Sequence, residues 1–168
     1  MLWPTGSNND FAIVPARTAT ELTSAAGIFR AYAAALPVDL APQGFGRELA
    51  ALPGPYAPPS GELLLAKRGD HVLGCIALKE LEPDVVEIKR LFVRPRERGK
   101  GIARALVAAA IATARAQGAG EIKLDTLPGM TEAIALYRSF GFMPIPPYGS
   151  HPYPGLLCFG LKTEAASP

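Results

Sequence analysis

Between residues 85 and 117 the chain passes from an apolar run, through a basic glycine-containing turn, into a helical pattern. Val85 to Val93 reads as a strand, and Ala103 to Gln117 as a helix stopped by Gly118. The turn between them is Arg94-Pro-Arg-Glu-Arg-Gly-Lys-Gly, followed by Ile102-Ala-Arg-Ala-Leu106. This order dictates a strand, a tight bend and a helix N-terminus in sequence. The first N–H groups of a helix lack internal partners, and the helix dipole places partial positive charge there. Gly99 and Gly101 let the backbone approach an anion with no Cβ in the way. Arg94, Arg96, Arg98, Lys100 and Arg104 surround the bend with cations. These features predict a phosphate-bearing ligand held mainly by main chain. The alternative for the cations alone is a solvated turn, but like charges at helical spacing repel one another unless a polyanion is present.

The flanking pattern limits the fold. Phe11 to Pro15 predicts a strand, and Thr18 or Thr20 can cap a helix running to Leu36, ahead of Pro37. A shorter helix is expected over Phe45 to Leu52. Pro53 to Gly61 carries too many prolines for regular structure. Glu62 to Arg68, His71 to Glu80 and Val85 to Val93 predict an antiparallel meander, turning at Gly69-Asp70 and Glu82-Pro83-Asp84. Glu121 to Thr126 reads as a strand and Thr131 to Phe140 as a helix. A second proline-rich stretch, Pro144 to Pro154, precedes a final strand, Leu156 to Lys162. The order β-α-α-β-β-β-α-β-α-β indicates an α/β (α+β) fold with a mostly antiparallel first half. It is not a doubly wound dinucleotide fold. The glycine turn agrees, since it lacks the third glycine of G-x-G-x-x-G and the Gly-Lys-Ser/Thr ending of a P-loop. No internal repeat or linker divides residues 1–168, which are expected to form one domain with frayed tails at 1–9 and 163–168.

Composition excludes several function classes. Seventeen Lys plus Arg against fifteen Asp plus Glu give a net charge of +2, too balanced for a nucleic-acid coat. Cys75, Cys158, His71 and His151 are isolated from one another, so no metal site is expected. Met1 to Asp10 has neither the basic nor the apolar region of a secretory signal. The longest apolar run, Ala105 to Ala112, falls far short of the roughly 20 residues that span a bilayer. A soluble cytoplasmic protein without a membrane partner is expected.

Arg96-x-x-Gly99-x-Gly101 resembles the Gln/Arg-x-x-Gly-x-Gly/Ala signature of the GNAT superfamily of acetyl-CoA-dependent N-acetyltransferases. Ala133-Ile-Ala-Leu-Tyr-Arg-Ser-Phe-Gly-Phe142 is similar to that family's second signature, with a tyrosine four residues before Gly-Phe. The element order agrees from Phe11 to Lys162. The resemblance implies a mixed, mostly antiparallel central sheet flanked by helices and splayed between the strands 85–93 and 121–126. It also implies acetyl-CoA as co-substrate. Its diphosphate would lie on the N–H groups of Arg98, Gly99, Lys100, Gly101, Ile102 and Ala103, beside Arg96, with the 3′-phosphate as a further partner of the basic cluster. The pantetheine arm would run along Leu91, Phe92 and Val93 in the manner of an added strand. Many members place Asn where this chain has Met130, so that pantetheine contact is absent or replaced. A homodimer joined through the C-terminal strands is common among such proteins.

Acetyl transfer requires a deprotonated amine, donors for the oxyanion and protonation of the departing thiolate. By the resemblance, Tyr137 is the acid: a phenol of pKa about 10 can protonate a thiolate whose conjugate acid is near 8.5. As a bare sequence feature Tyr137 is equally a core aromatic, sharing a helical face with Ala133 and Phe140. Glu87 matches a position where several members carry a catalytic carboxylate, acting directly or through water. Its other reading is an exposed strand glutamate paired with Lys89 or Arg90. Cys75 reads as a small core residue, and His151 as a solvated loop residue near Tyr148 and Tyr153. Tyr32, Gln43, Tyr56 and Asp125 are candidates to line an acceptor site walled by the loops 53–61 and 144–154. The leading expectation is acetylation of a primary amine on a small molecule. Acetylation of a protein lysine or N-terminus, and a non-catalytic acyl-CoA sensor, are the alternatives.

Overall fold

The computed structural model describes residues 10–149, 153 and 155–164. Strands β1 (Ala12–Pro15), β2 (Glu62–Arg68), β3 (His71–Glu82), β4 (Val85–Val93), β5 (Glu121–Thr126), β6 (Met143–Ile145) and β7 (Leu157–Lys162) form one seven-stranded sheet. Its spatial order is β1-β2-β3-β4-β5-β7-β6, and only the β4–β5 pairing is parallel. Four helices complete the fold: α1 (Ala19–Ala35), α2 (Phe45–Ala51), α3 (Ile102–Ala116) and α4 (Thr131–Ser139).

Alternation along the central strands supplies both cores. Leu64, Ala66, Ile76 and Leu78 pack with Ile102, Leu106, Val107 and Ala110 of α3. Their neighbours Leu63, Leu65, Cys75 and Ala77 pack with Ala25, Ile28 and Phe29 of α1 on the opposite face. Both faces of β2 and β3 are therefore covered, which explains their near-continuous apolar runs.

The start of α1 is set by a capping box. Thr18 Oγ1 accepts from the Glu21 N–H at 3.1 Å, and Glu21 Oε1 accepts from the Thr18 N–H at 3.0 Å. Thr18→Ala is expected to destabilise the protein by about 1 kcal/mol. Denaturant unfolding checks this.

Among the strands and α-helices, two features differ from the sequence reading by more than one residue. β3 extends to Glu82, two residues past the expected end. The three residues of β6 lie inside the stretch read as proline-rich loop. Pro144 is tolerated because β6 is the sheet edge, where a missing N–H disrupts no ladder on the outer side.

Two irregularities in β4 position the site. β4 and β5 pair only at Val85↔Glu121, Val86↔Ile122 and Glu87↔Lys123, while β5 stays paired with β7 as far as Thr126↔Leu157. Beyond Glu87 the two strands diverge, so the sheet opens into a wedge. On its other side β4 loses register with β3 between Ala77↔Lys89 and Cys75↔Phe92. Arg90 and Leu91 there face the single residue Ile76, which makes a β-bulge and turns main-chain groups out of the ladder.

Candidate active site

The chain leaves β4 through one 3₁₀ turn, Pro95–Glu97, and enters α3 at Gly101. Gly99 and Gly101 have φ of +77° and +82°, a region that side chains with a Cβ adopt at a cost. Gly101 is the N-cap of α3, and no side chain caps the helix. The first-turn N–H groups of α3 are therefore left for an external acceptor.

The basic cluster is partly neutralised from within. Glu97, at its centre, pairs with Lys100 at 3.1 Å and Arg68 at 3.2 Å. Hydrogen bonding to Lys100 first, and to Arg68, holds the Glu97 carboxyl below the usual carboxylate range. Arg94 Nε donates to the Val72 carbonyl at 2.9 Å, away from the turn. Arg98 Nε donates to the Val93 carbonyl at 3.0 Å, with its guanidinium over the Phe92 ring. Arg104 donates to Ser139 Oγ at 3.1 Å.

A cleft of about 570 Å³ runs from this turn into the wedge. Leu91, Phe92, Val93, Arg98, Gly99, Gly101, Ile102 and Ala103 line it, together with Arg104. Arg96 is exposed outside the lining, and Lys100 is held by Glu97. The far wall comes from the start of α4 and the residues before it, including Met130, Thr131 and Ala133. Met130 stands where the resemblance expects Asn, and its thioether accepts from Thr126 Oγ1 at 3.5 Å.

A second, smaller cavity of about 80 Å³ continues the first, with Tyr32, Leu36, Leu91, Met130 and Ala133 common to both. Tyr137 lies on its wall, 6% exposed, its ring edge-on to Phe142 at 5.7 Å. Burial, then the charges of Tyr32 and Asp125, push the Tyr137 hydroxyl well above the usual tyrosine range. The ring belongs to the core, and the residue also faces the cavity. Of the acceptor-site candidates, Tyr32, Gln43 and Asp125 line this cavity, and Tyr153 of the loop 144–154 joins them. Tyr56 does not: it is buried under α2, its hydroxyl donating to Glu48 Oε1 at 2.8 Å. The loop 53–61 likewise contributes no lining, and Val38, Leu40 and Gln43 provide that wall instead. His151 lies outside the described residues.

Glu87 is buried at 4% exposure, not the exposed strand residue of its bland reading. Its carboxylate accepts from the Tyr148 hydroxyl at 2.6 Å and lies 3.7 Å from Lys89 Nζ and 3.8 Å from Lys79 Nζ. It occupies the last paired position before the wedge, yet lines neither cavity. Cys75 is fully buried, its thiol donating to the Arg90 carbonyl at 3.2 Å. Burial pushes that thiol up, so it is a core residue and not a nucleophile. Among the described residues no group of three His, Cys, Asp or Glu is disposed to hold a metal ion. No described helix is long and apolar enough to cross a membrane.

This fold is shared with solved structures. An acetyltransferase from Streptococcus agalactiae superposes with a TM-score of 0.76 over 92% of this chain and 99% of its own, at 20% identity. A Salmonella typhimurium protein solved with acetyl-CoA gives a TM-score of 0.68 over 95% of this chain and 98% of its own, at 19% identity. These likenesses establish the fold. In sequence, the family model for the acetyltransferase (GNAT) family matches residues 28–142. The chain is a member of the GNAT family. An uncharacterised N-acetyltransferase of Schizosaccharomyces pombe is 38% identical over 128 residues, covering 74% of this chain and 78% of that protein. An IAA acetyltransferase of Azospirillum brasilense is 39% identical over 100 residues, covering 57% of this chain and 65% of that one. This GNAT protein is accordingly an acyltransferase of the N-acetyltransferase type.

Sequence reading missed one conspicuous residue of this GNAT site. Arg90 lines the smaller cavity, is 7% exposed and has φ of +61°. Arginine in a mostly apolar strand was the available signal, since arginine is rarely buried without a partner; Glu87 and Lys89 in the same strand share it.

Proposed function

We propose that this GNAT enzyme transfers the acetyl group of acetyl-CoA to a primary amine of a small molecule, by direct attack in a ternary complex. The observation that carries this reading is the continuous passage from the Gly99–Gly101 turn, through the wedge, to Tyr137. Acetyl-CoA fits the larger cleft by chemistry: uncapped helix N–H groups and Arg98 and Arg104 for phosphates, and the strand edge 91–93 for pantetheine. The smaller cavity suits a compact acceptor head, since its 80 Å³ would take only a handful of waters at about 10–15 Å³ each.

The residues divide the work in a way that balances protons. The amine nitrogen attacks the thioester carbon, and main chain turned out at the Arg90–Leu91 bulge faces the developing oxyanion. The carbon–sulfur bond breaks, and the leaving sulfur takes the Tyr137 hydroxyl proton, later restored from water. Tyrosine is already protonated at neutral pH, and the burial that disfavours its tyrosinate disfavours a charged thiolate in the same cavity as well. The proton lost by the amine passes through water to Glu87, which is not among the residues lining either cavity.

Titration calorimetry with acetyl-CoA, followed by thiol release across a panel of primary amines, tests the reading. Binding with turnover of small amines is expected. Binding without turnover of any amine points to a sensor, and turnover confined to peptides points to protein acetylation. Glu87→Gln is expected to lower kcat by roughly tenfold while leaving acetyl-CoA affinity intact, a smaller loss than for an acid in direct contact.

A further inference from the structure

The large cleft and the smaller cavity meet at a neck. Five residues line both spaces: Tyr32 and Leu36 at the end of α1, Leu91 at the β4 bulge, and Met130 and Ala133 at the start of α4. All five are half-buried, so each offers surface to an occupant. None carries a charge. The charged lining residues fall to either side, with Glu97, Arg98, Arg104 and Glu132 in the cleft alone and Lys89, Arg90 and Asp125 in the smaller cavity alone. The polar side-chain atoms of the neck are engaged from outside it. Arg90 bonds to the Tyr32 hydroxyl with its guanidinium over that ring, and Thr126 Oγ1 donates to the Met130 thioether at 3.5 Å.

On the acetyl-transfer reading, the thioester lies between the Arg90–Leu91 bulge and Tyr137, which puts its acyl substituent at the neck. The neck joins a minimal side chain to a yielding one. Ala133 leaves space that a larger residue would fill, and methionine, unbranched with three rotatable bonds, adapts to the shape of what lies against it. Met130 also stands where the resemblance expects a polar asparagine, so the apolar character of this wall belongs to this chain. A longer hydrocarbon chain gains by burial against such a wall. A carboxylate there would lose its water with no opposite charge at the neck to replace it.

We infer that the enzyme also transfers neutral straight-chain acyl groups longer than acetyl, propionyl first, and rejects acyl groups that end in a carboxylate. This inference rests on the acetyl-transfer reading and extends its donor class. The amine nitrogen bonds to the propionyl carbonyl carbon and gives up one proton. The carbon–sulfur bond breaks and the departing sulfur takes one proton, so an N-propionyl amine and CoA thiol leave.

The test follows thiol release from acetyl-, propionyl- and malonyl-CoA with the same panel of primary amines. Malonyl-CoA probes charge, because its carboxylate takes the place of the propionyl methyl. Wild-type kcat/KM for propionyl-CoA is expected to lie no more than about threefold below that for acetyl-CoA, and up to about fourfold above it for one buried methylene. Malonyl-CoA is expected to fall at least about tenfold below propionyl-CoA. Ala133→Leu fills the neck and should lower the ratio of propionyl to acetyl kcat/KM at least about tenfold. Leucine is a good helix former, so α4 should persist. A larger loss with propionyl-CoA in the wild type overturns the inference and leaves acetyl transfer standing, as does malonyl-CoA used more than about a tenth as well as propionyl-CoA. A smaller change of the ratio in Ala133→Leu overturns the assignment to the neck. Turnover of none of the three thioesters with any amine removes the acetyl-transfer reading and this inference with it. If Ala133→Leu fails to fold, the wild-type order of the three thioesters decides alone.

Discussion

Gly101→Val is expected to weaken acetyl-CoA binding about a hundredfold or more, measured by calorimetry. Gly101 caps α3 with φ of +82°, and a β-branched residue there costs on the order of 1–3 kcal/mol. Valine would escape that cost by rotating the peptide units that lead into Ile102 and Ala103. Those units carry the N–H groups assigned to the diphosphate. Losing two hydrogen bonds to a charged group, at about 1.5–3 kcal/mol each, exceeds the roughly 2.7 kcal/mol of a hundredfold change. Gly101→Asn is the control for backbone geometry, because asparagine tolerates left-handed φ better than other side chains. It should retain more of the affinity and of the melting temperature. An unchanged Kd for a folded Gly101→Val protein would contradict the phosphate cradle.

Tyr137→Phe should lower kcat by about 10²- to 10³-fold with little change in acetyl-CoA affinity. The hydroxyl stands on the wall of the smaller cavity, whereas the phosphate groups are held at the other end of the cleft. Phenylalanine keeps the edge-on packing against Phe142, so stability should hardly move. The pH dependence has a definite sign. Burial raises the folded-state pKa of Tyr137 above its ordinary value of about 10, so its acid form persists as pH rises. Wild-type kcat should therefore climb as the amine deprotonates and show no descending limb below about pH 10. A descending limb near neutrality, or full activity in Tyr137→Phe, would assign the acid to another group.

Local elements were legible because each carries its own signal. Thr18 or Thr20 offered a cap for α1, and residues 62–68 and 71–80 read as strands; the structure adds that Thr18 closes a capping box with Glu21 and that both faces of these strands are covered. The Gly99-x-Gly101 turn was readable since a left-handed N-cap without a side-chain cap needs glycine in the sequence itself. β6 was not readable. Three residues around Pro144 acquire strand geometry only from pairing with β7, a partner that follows later in the chain. Tyr56 and the loop 53–61 were placed at the acceptor site on composition alone. In the fold Tyr56 turns inward, because its hydroxyl finds Glu48 on α2.

The sequence by itself determined the kinds of element, their order and the glycine turn ahead of α3, since periodicity, capping and glycine geometry act over a few neighbouring residues. Only the tertiary structure decided where β4 and β5 part, and that Glu87 is screened by Tyr148 while Asp125 reaches the cavity. It also decided that the buried Arg90 guanidinium pairs with Glu48 of α2. Those outcomes depend on residues tens of positions apart meeting across the sheet, and no local pattern records which of them will meet.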